Sequence, residues 1–293
     1  MGLRFMGVLE HLRKQGVWRF EELESIHATS IGCMAAVVLC LQFEEWEDVE
    51  NYFVNRPWNK VLALDGRQLL EALYRKGVFG EELTRCVLAP LLEAKGLSPD
   101  VTLAAFHDFC PAVTMTFITC EVNGFHAVPL SHVTHPDLPL TTAVAMSAAL
   151  PGLFRPVMHG GGCHIDGGIL CNFPAEYCVA DHPGEEAAML GVQWRESAEG
   201  AEDAAIVGAD SDLVTYAVHL CASAIRHITE RSRFSPSVLG RLVTCVHVGG
   251  NPFAASVMTK LVESKEERRA WMQGFAANDA ATLTELSDDC LPS

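Results

Sequence analysis

Positive charge is scarce in this chain. Across 293 residues, 21 Lys and Arg stand against 37 Asp and Glu, a formal net charge of −16, and no basic cluster interrupts the acidic balance. Phosphate recognition needs a basic face, so nucleic acid is excluded as a partner, and simple electrostatic docking on anionic lipid is argued against. A long apolar run is also missing. The longest, Ile31 to Leu41, falls far below the roughly 20 residues of a membrane span. The start, Met1-Gly2-Leu3-Arg4-Phe5, lacks a charged region followed by an apolar run and a small-residue cleavage site, so no secretory signal is read there. Met6 stands where myristoylation requires Ser or Thr. No internal repeat is present. These absences predict a cytoplasmic protein, peripheral on membranes at most.

Cysteine is plentiful, at eleven, yet the number is odd, the spacing is irregular and C-x-x-C is absent. That pattern excludes a disulfide framework and fits a reducing compartment. Cys163-His164-x-Asp166 with Cys171 carries metal-ligating types, but its spacing matches no zinc pattern, and a strand turns Cys163 and His164 to opposite faces. No metal and no cofactor is expected. With 49% apolar and 20% charged residues, the chain can bury a sizeable core, and α/β folds of this length often form one domain.

Helical and strand-like stretches alternate along the chain, the signature of an α/β domain on a mostly parallel sheet. Phe5–Gln15 has a helical apolar face stopped by Gly16. Ser25–Thr29 reads as a short strand and Ile31–Phe43, apolar on all sides, as a buried helix directly after it. Residues 44–95 read as a helical cap or insertion over the sheet, with Asp65 capping a helix through Leu69, Leu70 and Leu73. Val113–Val122 and Phe125–Leu130 form a hairpin about Asn123-Gly124. Thr141–Ala149 is a small-residue helix ending at Pro151. Arg155–Met158 and Cys163–Asp166 flank His159-Gly160-Gly161-Gly162, read as a second hairpin turn. Met189–Trp194 and Leu242–Val248 are strand candidates. Asp212–Glu230 and Ser264–Phe275 are helices, the latter opened by a capping box at Ser264 and Glu267. The acidic stretch 197–212 reads as an exposed loop.

Chemistry concentrates at two turns. A serine hydroxyl becomes a nucleophile only when a base takes its proton and nearby donors stabilise the oxyanion. Ala28-Thr29-Ser30-Ile31-Gly32 has the small-x-Ser-x-Gly form of a nucleophile elbow, a sharp strand-to-helix turn that exposes the serine. The helix after it offers free N–H groups and a positive dipole end, so the Ile31 N–H is the natural first oxyanion donor. Asp166-Gly167-Gly168 is the second turn, a strand-ending carboxylate followed by two residues without side chains. Each turn has a plain reading too: a serine capping a core helix, and a tight turn.

Together the residues resemble the patatin-like phospholipase family. The stretches that carry the resemblance are Gly7-Val8-Leu9, Ala28 to Gly32, Ser147-Ala148-Ala149-Leu150-Pro151-Gly152-Leu153-Phe154, and Asp166-Gly167-Gly168 running into Asn172-Phe173-Pro174. The helix at 264–274 looks like the family's closing helix. In look, the chain is similar to members from algae and large algal viruses. The resemblance covers residues 1–275, leaving 276–293 as a tail. It implies a three-layer α/β/α sandwich and a serine–aspartate dyad: Ser30 as nucleophile and Asp166 as general base, with Gly167 and Gly168 leaving room for direct approach. It implies hydrolysis of a glycerolipid acyl ester, with transient contact at a membrane or lipid-droplet surface and no calcium.

The family begins with a strand and a Gly-Gly-Gly-x-Arg/Lys loop that completes the oxyanion hole. Of that loop only Gly2 and Arg4 are matched, so a first strand is expected to be missing and the chain to be an N-terminally truncated form. Arg4 belongs either beside the oxyanion loop or lipid phosphate, or on a solvated helix. Two alternatives remain open: a non-catalytic lipid-binding or interaction protein that keeps the fold, and a Ser/Asp/His esterase with His247 as base. The set Trp46, Tyr52, Phe53 and Trp58 either lines a lipid-facing cap or belongs to the core, and His126, His132 and His135 read as surface residues.

Overall fold

A computed structural model describes residues 2–63, 71, 72, 74–196, 207–209, 211, 213–231, 241–247 and 255–273. In chain order the elements are α1 (Gly2–Lys14), β1 (Ser25–Thr29), α2 (Ile31–Cys40), α3 (Trp46–Asn55), α4 (Trp58–Val61), β2 (Gly77–Phe79), α5 (Glu81–Ala94), α6 (Leu103–Phe109), β3 (Thr114–Glu121) and β4 (His126–Leu130). There follow α7 (Leu140–Ser147), β5 (Gly152–Phe154), β6 (Val157–His159), β7 (Gly162–Asp166), α8 (Gly168–Cys171), α9 (Ala175–Asp181), β8 (Leu190–Glu196), α10 (Leu213–Arg231), β9 (Arg241–His247), α11 (Ala255–Glu263) and α12 (Lys265–Gln273). The helix expected through Leu69, Leu70 and Leu73, its cap Asp65, most of the acidic stretch and the tail 276–293 lie outside the described residues.

Local chemistry sets several boundaries. Gly16, at φ 71°, ends α1 by letting the Val17 N–H return to the Leu12 carbonyl at 3.0 Å. Thr102 caps α6, its Oγ1 accepting the Ala105 N–H at 3.2 Å. Ser264 caps α12 through the Glu267 N–H at 3.1 Å, and its hydroxyl donates to the Glu266 carboxylate at 3.0 Å, so Glu266 rather than Glu267 is its side-chain partner. The glycine run after His159 is a hairpin turn: Gly160 and Gly161 sit at φ 58° and 81°, and His159 pairs with Gly162. Two successive positive φ values define the turn that glycine fills most cheaply.

The α/β class is as expected, with helices on both sides of a central sheet. The sheet itself is mixed, which corrects the mostly parallel reading. β1 runs parallel to β3, whereas β3–β4, β3–β7 and β6–β7 are antiparallel. Hairpins join β3 to β4 and β6 to β7, and a tight turn can only connect antiparallel strands. Two further parallel pairs, β2–β5 and β8–β9, stand apart from this sheet. The pairing of β2 with β5 involves three-residue strands, too short for a periodic signal.

β1 shows how the two faces are covered. Ala28 is buried and Ile26 partly buried on the face that joins the main core with α1 and α2. On the opposite face His27 bonds Asp181 of α9 at 2.8 Å, and the Thr29 hydroxyl donates to the Cys171 carbonyl of α8 at 2.9 Å. Phe106, Phe117, Leu12, Leu41, Leu88 and Leu130 are among the largest fully buried side chains. Burying one such side chain is worth about 1.5–3 kcal/mol. Of the four cap-region aromatics, Phe53 is in this core and Trp46, Tyr52 and Trp58 pack against it, which favours the core reading.

α12 closes the body. A Cβ on Gly7 would meet the Met272 carbonyl oxygen at 1.8 Å, so α1 and α12 cross with no room for a side chain. Arg268, buried, donates to the Val54 carbonyl at 2.8 Å and to the Leu261 and Val262 carbonyls at 2.7 and 3.0 Å, tying α12 to α3 and to the end of α11. Gly2 and Arg4 lie in α1 instead of an extended glycine-rich loop, and the Arg4 guanidinium sits 5.4 Å from the Trp271 ring centroid. Arg4 is itself buried, so it is not the solvated helix residue of one reading.

Candidate active site

The site forms where β1 and β7 end. Ser30 occupies the single position between β1 and α2, at φ 55° and ψ −126°. A non-glycine residue there costs on the order of 1–3 kcal/mol and persists only when its surroundings enforce it. Ala28 is buried beneath the turn, and a Cβ on Gly32 would lie 3.6 Å from the Ala28 Cβ, an ordinary contact. The turn therefore accommodates the methyl by which Ala28 departs from glycine. α2 starts at Ile31 and buries most of its length, which fixes its N-terminus behind the serine.

Asp166 is the last residue of β7 and is 3% exposed. Its Oδ2 accepts the Ser30 hydroxyl at 2.5 Å and its Oδ1 accepts the Gly168 N–H at 2.8 Å. Burial pushes the carboxyl up to about 6, while the bonds from Ser30 and Gly168 pull the other way. Contact excludes a side chain at the first glycine that follows and crowds the second. A Cβ on Gly167 would lie 2.1 Å from the Ile118 carbonyl oxygen, and one on Gly168 would lie 3.0 Å from both Asp166 Oδ1 and Asn172 Oδ1. Since Gly167 has φ −63°, its constraint is close approach and not a left-handed backbone.

The structure thus brings Ser30, Asp166, Ala28, Ile31, Gly32, Gly167 and Gly168 to one place. Thr119, fully buried on β3, donates its hydroxyl toward the Met146 and Ile165 carbonyls at 2.9 and 2.8 Å. Ser147, at the end of α7, reaches the Ser30 N–H at 2.9 Å. Along the sequence Ser147 is one residue of a longer stretch, and nothing there distinguishes its hydroxyl from those of Thr141 and Thr142 in the same helix.

Other candidates fall elsewhere. On β7, His164 and Asp166 share a face while Cys163 lies on the other, and Asp166 is committed to Ser30. His132 stacks on His107 with ring centroids 3.7 Å apart, a pairing the sequence did not announce. His247 ends β9 opposite Glu196 of β8, in the two-stranded sheet; its side chain lies outside the described residues.

The arrangement is that of an α/β protein carrying a serine on a strained strand-to-helix turn with a buried carboxylate bonded to it. A family model described as patatin-like phospholipase matches residues 2–179. The chain belongs to the patatin-like phospholipase family. Among solved structures, VipD from Legionella pneumophila is similar to this chain at 16% identity and a TM-score of 0.47. The alignment covers 93% of this chain, which spans 64% of the VipD chain. A search of curated proteins finds no match.

Proposed function

We propose that the chain is a lipid acyl hydrolase of the phospholipase A or lipase type, acting on glycerolipid esters through Ser30 and Asp166. The observation that carries this reading is the 2.5 Å hydrogen bond from the Ser30 hydroxyl directly to the Asp166 carboxylate, with no histidine between them. Asp166 takes the Ser30 proton as Oγ attacks the ester carbonyl carbon. The tetrahedral oxyanion faces the start of α2, where the Ile31 N–H is the donor. The C–O bond to the alcohol breaks, and the alcohol leaves with the proton returned by Asp166. Water, deprotonated by Asp166, then cleaves the acyl-enzyme to a fatty acid and free Ser30.

A carboxylate held near pKa 6 suits this role, because it is mostly ionised at neutral pH yet still basic enough to accept a proton. Substrate would be met at a membrane or lipid-droplet surface. Among the described residues no helix is long and apolar enough to cross a membrane. The packing of α12 on α1 supports extending the domain over residues 1–275, past the matched segment. The decisive experiment compares wild type with Ser30→Ala on phospholipid vesicles, on a short-chain nitrophenyl ester and with a fluorophosphonate probe. The reading expects loss of all three activities, by roughly 10⁴-fold or more for turnover. Equal hydrolysis by the two proteins overturns Ser30 as nucleophile, and none by wild type leaves a lipid-binding protein that keeps the fold without the chemistry.

A further inference from the structure

Ser147 stands between the two halves of the site and is fully buried. A hydroxyl has one proton to give and two lone pairs to fill, and this one uses all three. It donates to the Ile118 carbonyl at 2.6 Å, accepts the Ser30 N–H at 2.9 Å and accepts the Cys33 thiol at 3.1 Å. Burial raises the Cys33 thiol, so it stays protonated and able to donate. The main chain of the same turn reaches the base. The Ser147 carbonyl accepts the Gly167 N–H at 3.2 Å, and the Ala149 carbonyl accepts the Asp166 N–H at 3.0 Å.

A buried hydroxyl at a helix end needs only one carbonyl to be satisfied, and Ile118 supplies it. The bond from Ser30 is of another kind. The direction of a backbone N–H fixes the plane of its peptide, and at Ser30 that plane, together with φ 55°, aims the Cα–Cβ bond out of the turn. Without an acceptor at this point, the peptide preceding Ser30 could rotate toward an ordinary negative φ and carry Oγ away from Asp166. We propose that Ser147 is a positioning residue: its hydroxyl holds the Ser30 peptide so that Oγ meets Asp166, while its carbonyl and that of Ala149 hold the base-bearing turn at the matching distance. This rests on the Ser30–Asp166 reading of the site. Ser147 touches no reacting atom, and because it occupies the Ser30 N–H, that group is withdrawn from the oxyanion and the Ile31 N–H is left as the elbow's donor.

The test is Ser147→Ala, read in three ways on the full chain. Misplacing a nucleophile by a fraction of an ångström costs turnover and leaves substrate affinity alone, so kcat on a soluble nitrophenyl ester should fall about 10–100-fold with KM held within about twofold. The bond from Ser30 lowers the Asp166 pKa, so loosening it should move the acid limb of the fluorophosphonate-labelling profile upward by roughly 0.5–1 unit. The thiols of Cys33, Cys120 and Cys221 that surround Asp166 are all held above their ordinary values, so the limb reports the carboxylate. Deuterium exchange at the Ser30 amide should quicken relative to a peptide from α5, a readout that needs no activity. A merely structural hydroxyl would lower the melting temperature and move none of the three. If Ser147→Ala does not fold, Ser147→Cys, closest in volume and a weaker acceptor, should shift the same readouts in the same directions. Wild-type turnover, acid limb and Ser30 exchange in the folded variant, beside an inert Ser30→Ala, overturn this inference alone. If Ser30→Ala still hydrolyses ester, the dyad reading falls, and the amide exchange by itself decides whether Ser147 holds the turn.

Discussion

Thr29 and Asp166 occupy neighbouring places along one edge of β3, Thr29 opposite Ile118 and Asp166 opposite Thr119. β4 takes the other edge over the same stretch. β1 runs along β3 in parallel and β7 returns against it, so the two strands meet end to end and deliver the residue after one and the last residue of the other to the same point. Backbone ladders on both sides hold that meeting, which is why a 136-residue separation closes to a hydrogen bond.

The base carries a pH signature. The Asp166 carboxyl is held at about 6 by burial. Fluorophosphonate labelling of Ser30 should therefore rise through a midpoint near pH 6 and level off by about pH 7. A midpoint near 4, the value of an exposed aspartate, would show that the carboxylate acting on Ser30 is not desolvated.

Asp166→Asn should separate activity from stability. The folded-state pKa lies above the unfolded one, so the folded chain holds an extra proton between about pH 4 and 6. The stability linked to this group is present below about pH 4 and is lost as pH rises through 6, by roughly 3 kcal/mol. A neutral Asn avoids that loss: its carbonyl oxygen can still accept the Gly168 N–H, while its NH2 takes the place of Oδ2 and donates to Ser30 Oγ. The variant is expected to be inactive, to unfold at higher denaturant than wild type at pH 8, and to converge with it near pH 4. Equal midpoints at pH 8 would contradict the burial argument.

Gly167→Ala and Gly32→Ala should differ sharply. The first puts a methyl 2.1 Å from the Ile118 carbonyl oxygen, at the junction of three strands; the second puts one at ordinary contact distance from Ala28. Gly167→Ala should cost about 3 kcal/mol, at the top of the range for overpacking, and Gly32→Ala less than about 1 kcal/mol. Urea unfolding of the pair measures the contrast, and similar midpoints would refute it.

At the α1–α12 crossing, Gly7→Ala should lift α12 from the body, since the new Cβ would fall 1.8 Å from the Met272 carbonyl oxygen. Loss of about 2–3 kcal/mol is expected, with faster proteolysis within residues 255–273. If α12 stays protected, the close crossing does not govern its docking.

His247→Ala is expected to leave labelling of Ser30 unchanged, within about twofold, because the Ser30 proton already has an acceptor in Asp166. Loss of labelling with the fold intact would replace the dyad with a triad.

Much of this was legible along the chain. Ser25–Thr29 reads as a strand and emerges as one with the same bounds. Both hairpins were legible, but only the Gly160-Gly161 turn uses its glycines as expected; the Asn123-Gly124 connection is a four-residue loop, 122–125, whose positive φ falls on Phe125. Ser30 and Asp166 were visible as candidates, since each sits in a turn whose composition has a steric meaning. What was not legible is how the hairpins join the sheet, because β3 takes β1 and β7 as further partners from distant parts of the chain. Ser147 was not legible in its role either: a hydroxyl's value depends on which acceptors and donors the fold brings to it.

By itself, then, the sequence determined the bounds of β1 and the turn at 159–162, and marked the serine and the carboxylate at their two turns, because these follow from φ preferences, side-chain volume and apolar periodicity within a few residues. The tertiary structure alone decided that β1 and β7 converge on one edge of β3, that Asp166 is desolvated, and that Ser147 binds the Ser30 peptide. Those outcomes depend on hydrogen-bond partners and burial contributed by segments far apart in the chain, 117 residues for Ser30 and Ser147 and 136 for Ser30 and Asp166.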